Sequence, residues 1–504
     1  MRSTRALVVA ILGILQHAAG RPDFGLQGEI VGSKFAIEQT GTVSSNIGTL
    51  SEYRFILGSD YQPLYDERDA FYSLSDKLTT AVIAMADSVI LLADDSSSQI
   101  PPLFQDALAA ITNTRTVIST GLTQEFLTLS ARGKSYITDR LTDILTFIDQ
   151  SLTAIDGVLR KLQPAVERAQ ANAGGSGQPA TTSAARQVIS PRLINSLLNA
   201  IDRLGYGISP LIYSVHHPLS QVDQADTYIS EAKGNIEDTL LQAHQEVVNF
   251  NGNLRELRTI TNALTNTVGT AYLEQQTQAA DVLPTLEAST TYESLQDALA
   301  AYDSALSDLA IEDKTFLLEQ TIDDYLFDSN TYDDDLVTVY GDRICPALMA
   351  VVQVMVASGP HASYCYHKYS HEVVDLAIHN FYDIGECYQL ELNRLYATSR
   401  LIGDIVSLVT YNFADLFENL NTCALNTPCP TNCDSCVTTL SKFLKTMAQL
   451  MAEKFDLILQ IIPYEAKASQ QRLKSCTAFS KYRLIADAHD LLADVYTCED
   501  TGYN

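Results

Sequence analysis

All nine cysteines of this chain lie beyond residue 344, and their spacing restricts the fold more than any other feature. Cys365 and Cys387 are 22 positions apart, and so are Cys476 and Cys498. Twenty-two residues of α-helix rise about 33 Å, whereas bridged Cα atoms sit about 4.4–6.8 Å apart. On helices, therefore, neither pair closes on itself, and each cysteine must reach a neighbouring helix. Between 361 and 422 the helix breakers are Gly385 and Gly403, and between 437 and 498 there is Pro463 alone. The pattern predicts two long helices joined by a loop at Pro428 and Pro430, an antiparallel hairpin.

Facing residues of such a hairpin have position numbers with a constant total. For Cys365 with Cys498 the total is 863, and for Cys387 with Cys476 it is again 863. At the tip, Cys429 with Cys433 gives 862 and Cys423 with Cys436 gives 859. One register thus yields four nested bridges: Cys365–Cys498, Cys387–Cys476, Cys423–Cys436 and Cys429–Cys433. Within the tip, Cys423–Cys433 with Cys429–Cys436 stays open as the other connectivity. Cys345 has no partner in this register and is read as a free thiol or the site of an intermolecular bridge. The run C-A-L-N-T-P-C-P-T-N-C-D-S-C (423–436) has two rival readings. A zinc site would use such thiolates, but the run lacks paired C-x2-C knuckles. A redox centre would rest on Cys433-x-x-Cys436.

An even disulfide framework with one cysteine over belongs to an oxidising compartment. The N-terminus agrees: two arginines, an apolar run from Ala6 to Leu15, then Ala18 and Gly20, the layout of a secretory signal peptide over 1–20. Ten apolar residues fall short of the roughly 20 that span a bilayer, and no later stretch reaches that length without a charge, so no transmembrane segment is predicted. A secreted, extracellular protein is the expectation. The net charge of −28 repels nucleic acid and anionic membranes.

Heptads dominate the remainder. Phe71, Leu74, Leu78, Val82, Met85, Val89 and Leu92 advance by threes and fours, as do Ile137, Leu141, Ile144, Ile148, Leu152, Ile155, Leu159 and Leu162. The longest seam is Val222, Ile229, Ile236, Leu240, Val247, Phe250, Leu254, Leu257, Leu264 and Val268, with Ala225, Ala232 and Ala243 between. No β alternation is found, and the fold class is all-α: long antiparallel helices in a coiled-coil-like bundle with a disulfide-stapled C-terminal hairpin. The predicted segments are the signal peptide 1–20, a loosely ordered arm 21–58, a helical bundle 59–170, a flexible linker 171–189, coiled-coil-like helices 190–340 and a cysteine-bearing helical domain 341–504. Acidic turns such as 322–336 are expected to punctuate the helices before residue 345.

Candidates for chemistry are few. His367, His371, Asp375, His379 and Asp383 recur every four residues, and imidazoles at i and i+4 can share a metal. Tyr366, Tyr369, Val373, Ala377, Phe381 and Ile384 take the opposite face, so the histidines are read as a solvated stripe, with His367, His371, Asp375 and His379 kept as a weak metal candidate. Asp328-x-Asn330 begins like a calcium loop but lacks its glycine and its terminal glutamate, and Asp333–Asp335 reads as a solvated turn or helix start. His216-His217 before Pro218 reads as a turn. No catalytic constellation and no cofactor is implied.

Residues 365–388, C-Y-H-K-Y-S-H-E-V-V-D-L-A-I-H-N-F-Y-D-I-G-E-C-Y, followed by a helical stretch to L-N-T-C at 420–423, resemble the TsetseEP-domain family of secreted insect proteins. The resemblance covers roughly 345–498. It implies a secreted protein of insect gut or another secretory tissue, with an immune connection and no catalytic residues. The Glu-Pro repeat tail of the family's namesake has no counterpart here. The reading that results is a secreted, elongated, non-enzymatic protein acting by binding or assembly, with a protein partner or self-association. The alternative is a carrier holding an apolar ligand in the bundle.

Overall fold

The computed structural model describes residues 23–132, 135–175, 178–307, 311–426, 429 and 431–502. The predicted signal peptide, together with Pro428 and Pro430, lies outside them. Among the described residues no strand forms, and one isolated bridge pairs Asp23 with Leu26. The helices are α1 (Ser33–Gly48), α2 (Gln62–Asp94), α3 (Ile100–Thr116), α4 (Thr123–Arg132), α5 (Tyr136–Asn172), α6 (Thr182–Val188), α7 (Pro191–Val282), α8 (Tyr292–Ser307), α9 (Ile311–Val339), α10 (Cys345–Val356), α11 (Ala362–Leu425) and α12 (Asp434–Thr501). They group into two units, the first of Met1–Lys233, Leu348–His371 and Leu492–Asn504, the second of Gly234–Ala347 and Glu372–Leu491. These divisions cut across the predicted segments: the cysteine-bearing stretch 341–504 contributes to both.

In the first unit the heptads bury as their period demands. Phe71, Leu74, Leu78, Val82, Met85, Val89 and Leu92 on α2 and Leu141, Ile148, Leu152, Ile155, Leu159 and Leu162 on α5 join one core with Leu197, Leu204, Leu211 and Val215 of α7. Each such side chain withdrawn from water contributes on the order of 1.5–3 kcal/mol.

Where it is described, from Asp23 on, the segment 21–58 is not a loose arm. Phe24, Leu26, Ile30, Ala36, Val43, Ile47 and Leu50 are all buried in that same core, and Phe24 stacks on Phe104 with ring centroids 6.4 Å apart. Backbone pairing locks the entry: Gly25 donates to the Asp95 carbonyl at 2.8 Å and the Ile30 N–H to the Asp23 carboxylate. Gly25 sits at φ +77, where a side chain is disfavoured.

The linker 171–189 is likewise engaged where it is described. Ala180, Ala185 and Ile189 are buried, Ala180 donates to the Gln27 carbonyl at 2.8 Å, and Thr181 caps α6 by accepting from the Ala184 N–H. The loop before α2 is held by Asp226 of α7, which accepts from Gly58 N at 2.6 Å and Ser59 N at 2.9 Å.

In the second unit the long seam buries Val247, Phe250, Leu254, Leu257 and Val268, while Ile236 and Leu240 are half-buried. Phe250 packs edge-on against Tyr325 and Tyr388 at 5.5 and 5.3 Å. The acidic stretch 322–336 is not a turn: it lies inside α9, whose Asp328, Ser329 and Asn330 hydrogen-bond other helices. Ser329 Oγ donates to Asn251 Oδ1 at 2.6 Å, Asn251 Nδ2 to Asn330 Oδ1 at 2.9 Å, and Gln470 Nε2 to Asp328 Oδ2 at 2.9 Å. Satisfied polar pairs of this kind let acidic and amide residues occupy helix–helix contacts. Prolines do not end the helices either: Pro164, Pro210, Pro218 and Pro463 all lie within them, tertiary packing outweighing the lost backbone bond.

Among the described residues one stretch, Val337–Val356, has the length and hydropathy to cross a membrane, but 56% of that window is buried within the protein, and it carries Asp342 and Arg343.

Candidate functional site

The C-terminal helices α11 and α12 carry six of the eight bridged cysteines, and Cys429 and Cys433 lie in the connection between them. In the first unit Cys365 is joined to Cys498 with Cα atoms 5.8 Å apart. In the second, Cys387 is joined to Cys476 at 5.8 Å, Cys423 to Cys436 at 5.5 Å and Cys429 to Cys433 at 5.2 Å. The other tip connectivity is not adopted. Neither rival reading of the tip survives this pairing, since every thiol of 423–436 is consumed and Cys433 and Cys436 are bonded to different partners.

The register is also marked by charge. Glu391, 3% exposed, accepts from Arg472 across the hairpin, and Arg472 reaches Glu465 at 2.6 Å; the position numbers of Glu391 and Arg472 again total 863. Hydrogen bonds from Arg472 to Glu391 outweigh burial and raise the arginine's pKa, so the buried carboxylate stays compensated. Nearby, Asn380 Nδ2 donates to the Ser480 carbonyl at 2.7 Å. At the start of α12, Asp434 accepts from Ser289 Oγ at 2.7 Å and from Thr290 N and Oγ1 at 3.0 and 2.6 Å. Bonds from Thr290 first, then Ser289, hold its carboxyl below the usual range.

The histidine stripe stands in solvent: His367, His371, Asp375 and His379 are all exposed on α11, and among the described residues no group of three or more metal-ligating side chains is gathered. His379 instead borders a 260 Å³ cleft with Asn380, Asp383, Arg483 and Asp487, in which Arg483 approaches Asp383 at 3.4 Å. Asp335 is paired with Lys481 at 3.2 Å; the side chains of Asp333 and Asp334 lie outside what is described. His216 and His217 are not at a turn. They sit within α7, where His216 Nε2 contacts the Leu50 carbonyl at 3.3 Å and His217 stacks on Tyr213 at 5.3 Å. Cys345 is free and exposed, and desolvation by its neighbours raises its thiol pKa, away from the reactive thiolate.

A feature absent from the sequence reading is the outward side of α12. Phe443, Leu450, Leu457 and Tyr464 follow one another at intervals of seven and are 47, 44, 60 and 71% exposed. Seven residues return a helix to nearly the same face, so the four form a single stripe, with Ile461 beside it at 37%. The opposite side of the same helix is buried through Leu444, Ala448, Met451, Phe455, Ile458 and Ile462. The seven-residue spacing was legible in the chain, but two apolar stripes on one helix leave open which one the fold covers.

Searches against protein-family models, curated proteins and solved structures returned no match to this chain.

Proposed function

We propose that this is an extracellular, non-enzymatic helical protein that works by assembly through its apolar helix faces. The observation that carries this reading is the α12 stripe of Phe443, Leu450, Leu457 and Tyr464. Large apolar side chains aligned on one helix face, on a hairpin fixed by disulfides, are the signature of a surface that pairs with another helix. Four bridges are compatible with an oxidising, extracellular setting, and the resemblance of 365–388 to the TsetseEP-domain family would place that setting in an insect secretion such as the gut lumen, with an immune connection. The face suits contact between proteins, and the chain's net charge of −28 disfavours nucleic acid as a partner.

The test is sedimentation velocity over a concentration series from about 1 to 100 µM, the range in which weak helical interfaces associate. A rising sedimentation coefficient supports assembly. A concentration-independent monomer counts against it. Organic-solvent extraction of the same preparation then decides the carrier alternative: co-purified lipid would favour a ligand held inside the bundle, and a clean extract would remove that reading.

A further inference from the structure

We propose, resting on the assembly reading above, that the partner of the α12 stripe is a second copy of this chain, paired antiparallel about a two-fold axis that passes between Glu453 and Lys454.

The stripe is complementary to itself in that orientation. Where two identical helices pack antiparallel across a two-fold axis, facing residues have position numbers with a constant total. Phe443 with Tyr464 gives 907, and Leu450 with Leu457 gives the same 907. Each aromatic therefore meets an aromatic of the other copy, and each leucine a leucine. The layers between them fit as well. Thr446 faces Ile461, half-buried Met447 faces Gln460, and at the centre Glu453 faces Lys454 while Lys454 faces Glu453 of the other copy. Glu453 and Lys454 are both exposed. One turn beyond the aromatics, exposed Lys442 faces Glu465, a carboxylate that Arg472 already orients at 2.6 Å. With the symmetry-related Glu465 facing Lys442, opposite charges thus meet at four places in a register chosen only by the apolar residues.

Charge also explains why copies would meet here. Two molecules of net charge −28 repel one another over most of their surface. Between 441 and 467 the ionic side chains are Lys442, Lys445, Glu453, Lys454, Asp456, Glu465 and Lys467, a slight cationic excess in a strongly acidic protein. Like-to-like contact is least opposed at this stretch.

The stripe from Phe443 to Tyr464 is about 32 Å long at 1.5 Å per residue. One helix face of that length buries an area at the low end for specific association, which corresponds to a transient dimer of roughly micromolar affinity. Pro463 disturbs the turn back to residue 459; both leucine positions, 450 and 457, precede that turn.

The experiment is sedimentation velocity in a Cys345→Ser background, which removes dimers linked through that thiol. Leu450→Glu/Leu457→Glu changes two exposed side chains, with circular dichroism as the check on folding, and is expected to weaken the dimer at least a hundred-fold. Glu453→Lys places lysine against lysine and should weaken it about tenfold, as should Lys454→Glu, while the double exchange Glu453→Lys/Lys454→Glu should restore wild-type affinity. That restoration is the result a merely structural role would not give. A dimer that survives Leu450→Glu/Leu457→Glu would overturn this interface while leaving assembly through another face standing. Loss of the dimer in the leucine variant without rescue by the exchanged pair would overturn the antiparallel register. A wild-type monomer at 100 µM would overturn both this inference and self-assembly.

Discussion

Removing the bridge between Cys387 and Cys476 should loosen the C-terminal hairpin of the second unit by a calculable amount. With the tip bridge Cys423–Cys436 intact, the loop closed by Cys387–Cys476 holds roughly 76 residues, those from 387 to 423 and from 436 to 476. Because Cys365–Cys498 still closes an outer loop of roughly 120 residues, this bridge divides that loop into parts of roughly 76 and 44, and its chain-entropy contribution is about 3.6 kcal/mol at 25 °C, within the range of about 2–5 kcal/mol found for native disulfides. Cys387 is 1% exposed, so Cys387→Ala/Cys476→Ala is the cleaner perturbation, because serine would add a buried hydroxyl. A chain with two units does not unfold as one two-state transition, and the assay is therefore local: amide hydrogen exchange along α11 and α12 between 388 and 475. Protection there should fall about 400-fold, since each 1.4 kcal/mol is a factor of ten. A fall of less than tenfold would refute the argument that this bridge limits the unfolded chain. Disulfide mapping by non-reducing proteolysis and mass spectrometry is the companion measurement, and a peptide linking Cys365 to Cys387 would refute the hairpin itself.

Three further outcomes follow from the geometry. A Cβ at Gly28 would collide with the Ala180 carbonyl oxygen, so Gly28→Ala should cost about 1–3 kcal/mol by forcing the backbone apart, read as a lowered thermal midpoint of the first unit; an unchanged midpoint would show that 28 and 180 separate freely. Gly385 and Gly403 lie within α11 with nothing near a built Cβ, and alanine at either should stabilise the helix by about 0.5–1 kcal/mol, measured by urea unfolding. Asp434 has a carboxyl pKa lowered from 3.8 by Thr290 and Ser289, so its contribution is present above about pH 3.8 and is lost as pH falls through the depressed folded value. The stability gap between wild type and Asp434→Ala should therefore be open at pH 7 and close toward pH 2; a gap independent of pH would assign the effect to something other than ionisation.

Helix class and cysteine register were legible because both depend on spacing alone. A seam such as Phe71 to Leu92 needs only a period, and 863 needs only two pairs of numbers; the register argument and the structure arrive at the same four bridges. What escaped the sequence depends on contacts remote along the chain. Phe24, Leu26 and Ala180 belong to segments without a period, and their burial comes from backbone pairing to Asp95 and Gln27. Asp328 and Asn330 resemble the opening of a calcium loop until Asn251 and Gln470, far away in sequence, are seen to take their hydrogen bonds. Gly385 and Pro463 are weak breakers once a long helix is held along its length by neighbours. The outward stripe of α12 was missed for a related reason: its heptad is as regular as the buried one on the same helix, and only the fold assigns each to core or solvent.

The interleaving of the two units has a consequence for biosynthesis. Cys365 is made 133 residues before its partner Cys498, and at roughly 5–20 residues per second that interval is on the order of 7–27 s. During it Cys387, Cys423, Cys429, Cys433, Cys436 and Cys476 all emerge, each able to capture the waiting thiol by exchange. Pairing of the six cysteines of 372–491 among themselves as they emerge would keep Cys365 open for Cys498. Maturation should pass through a chain whose inner bridges are complete and whose Cys365 is still reduced, a species that thiol trapping during synthesis can capture.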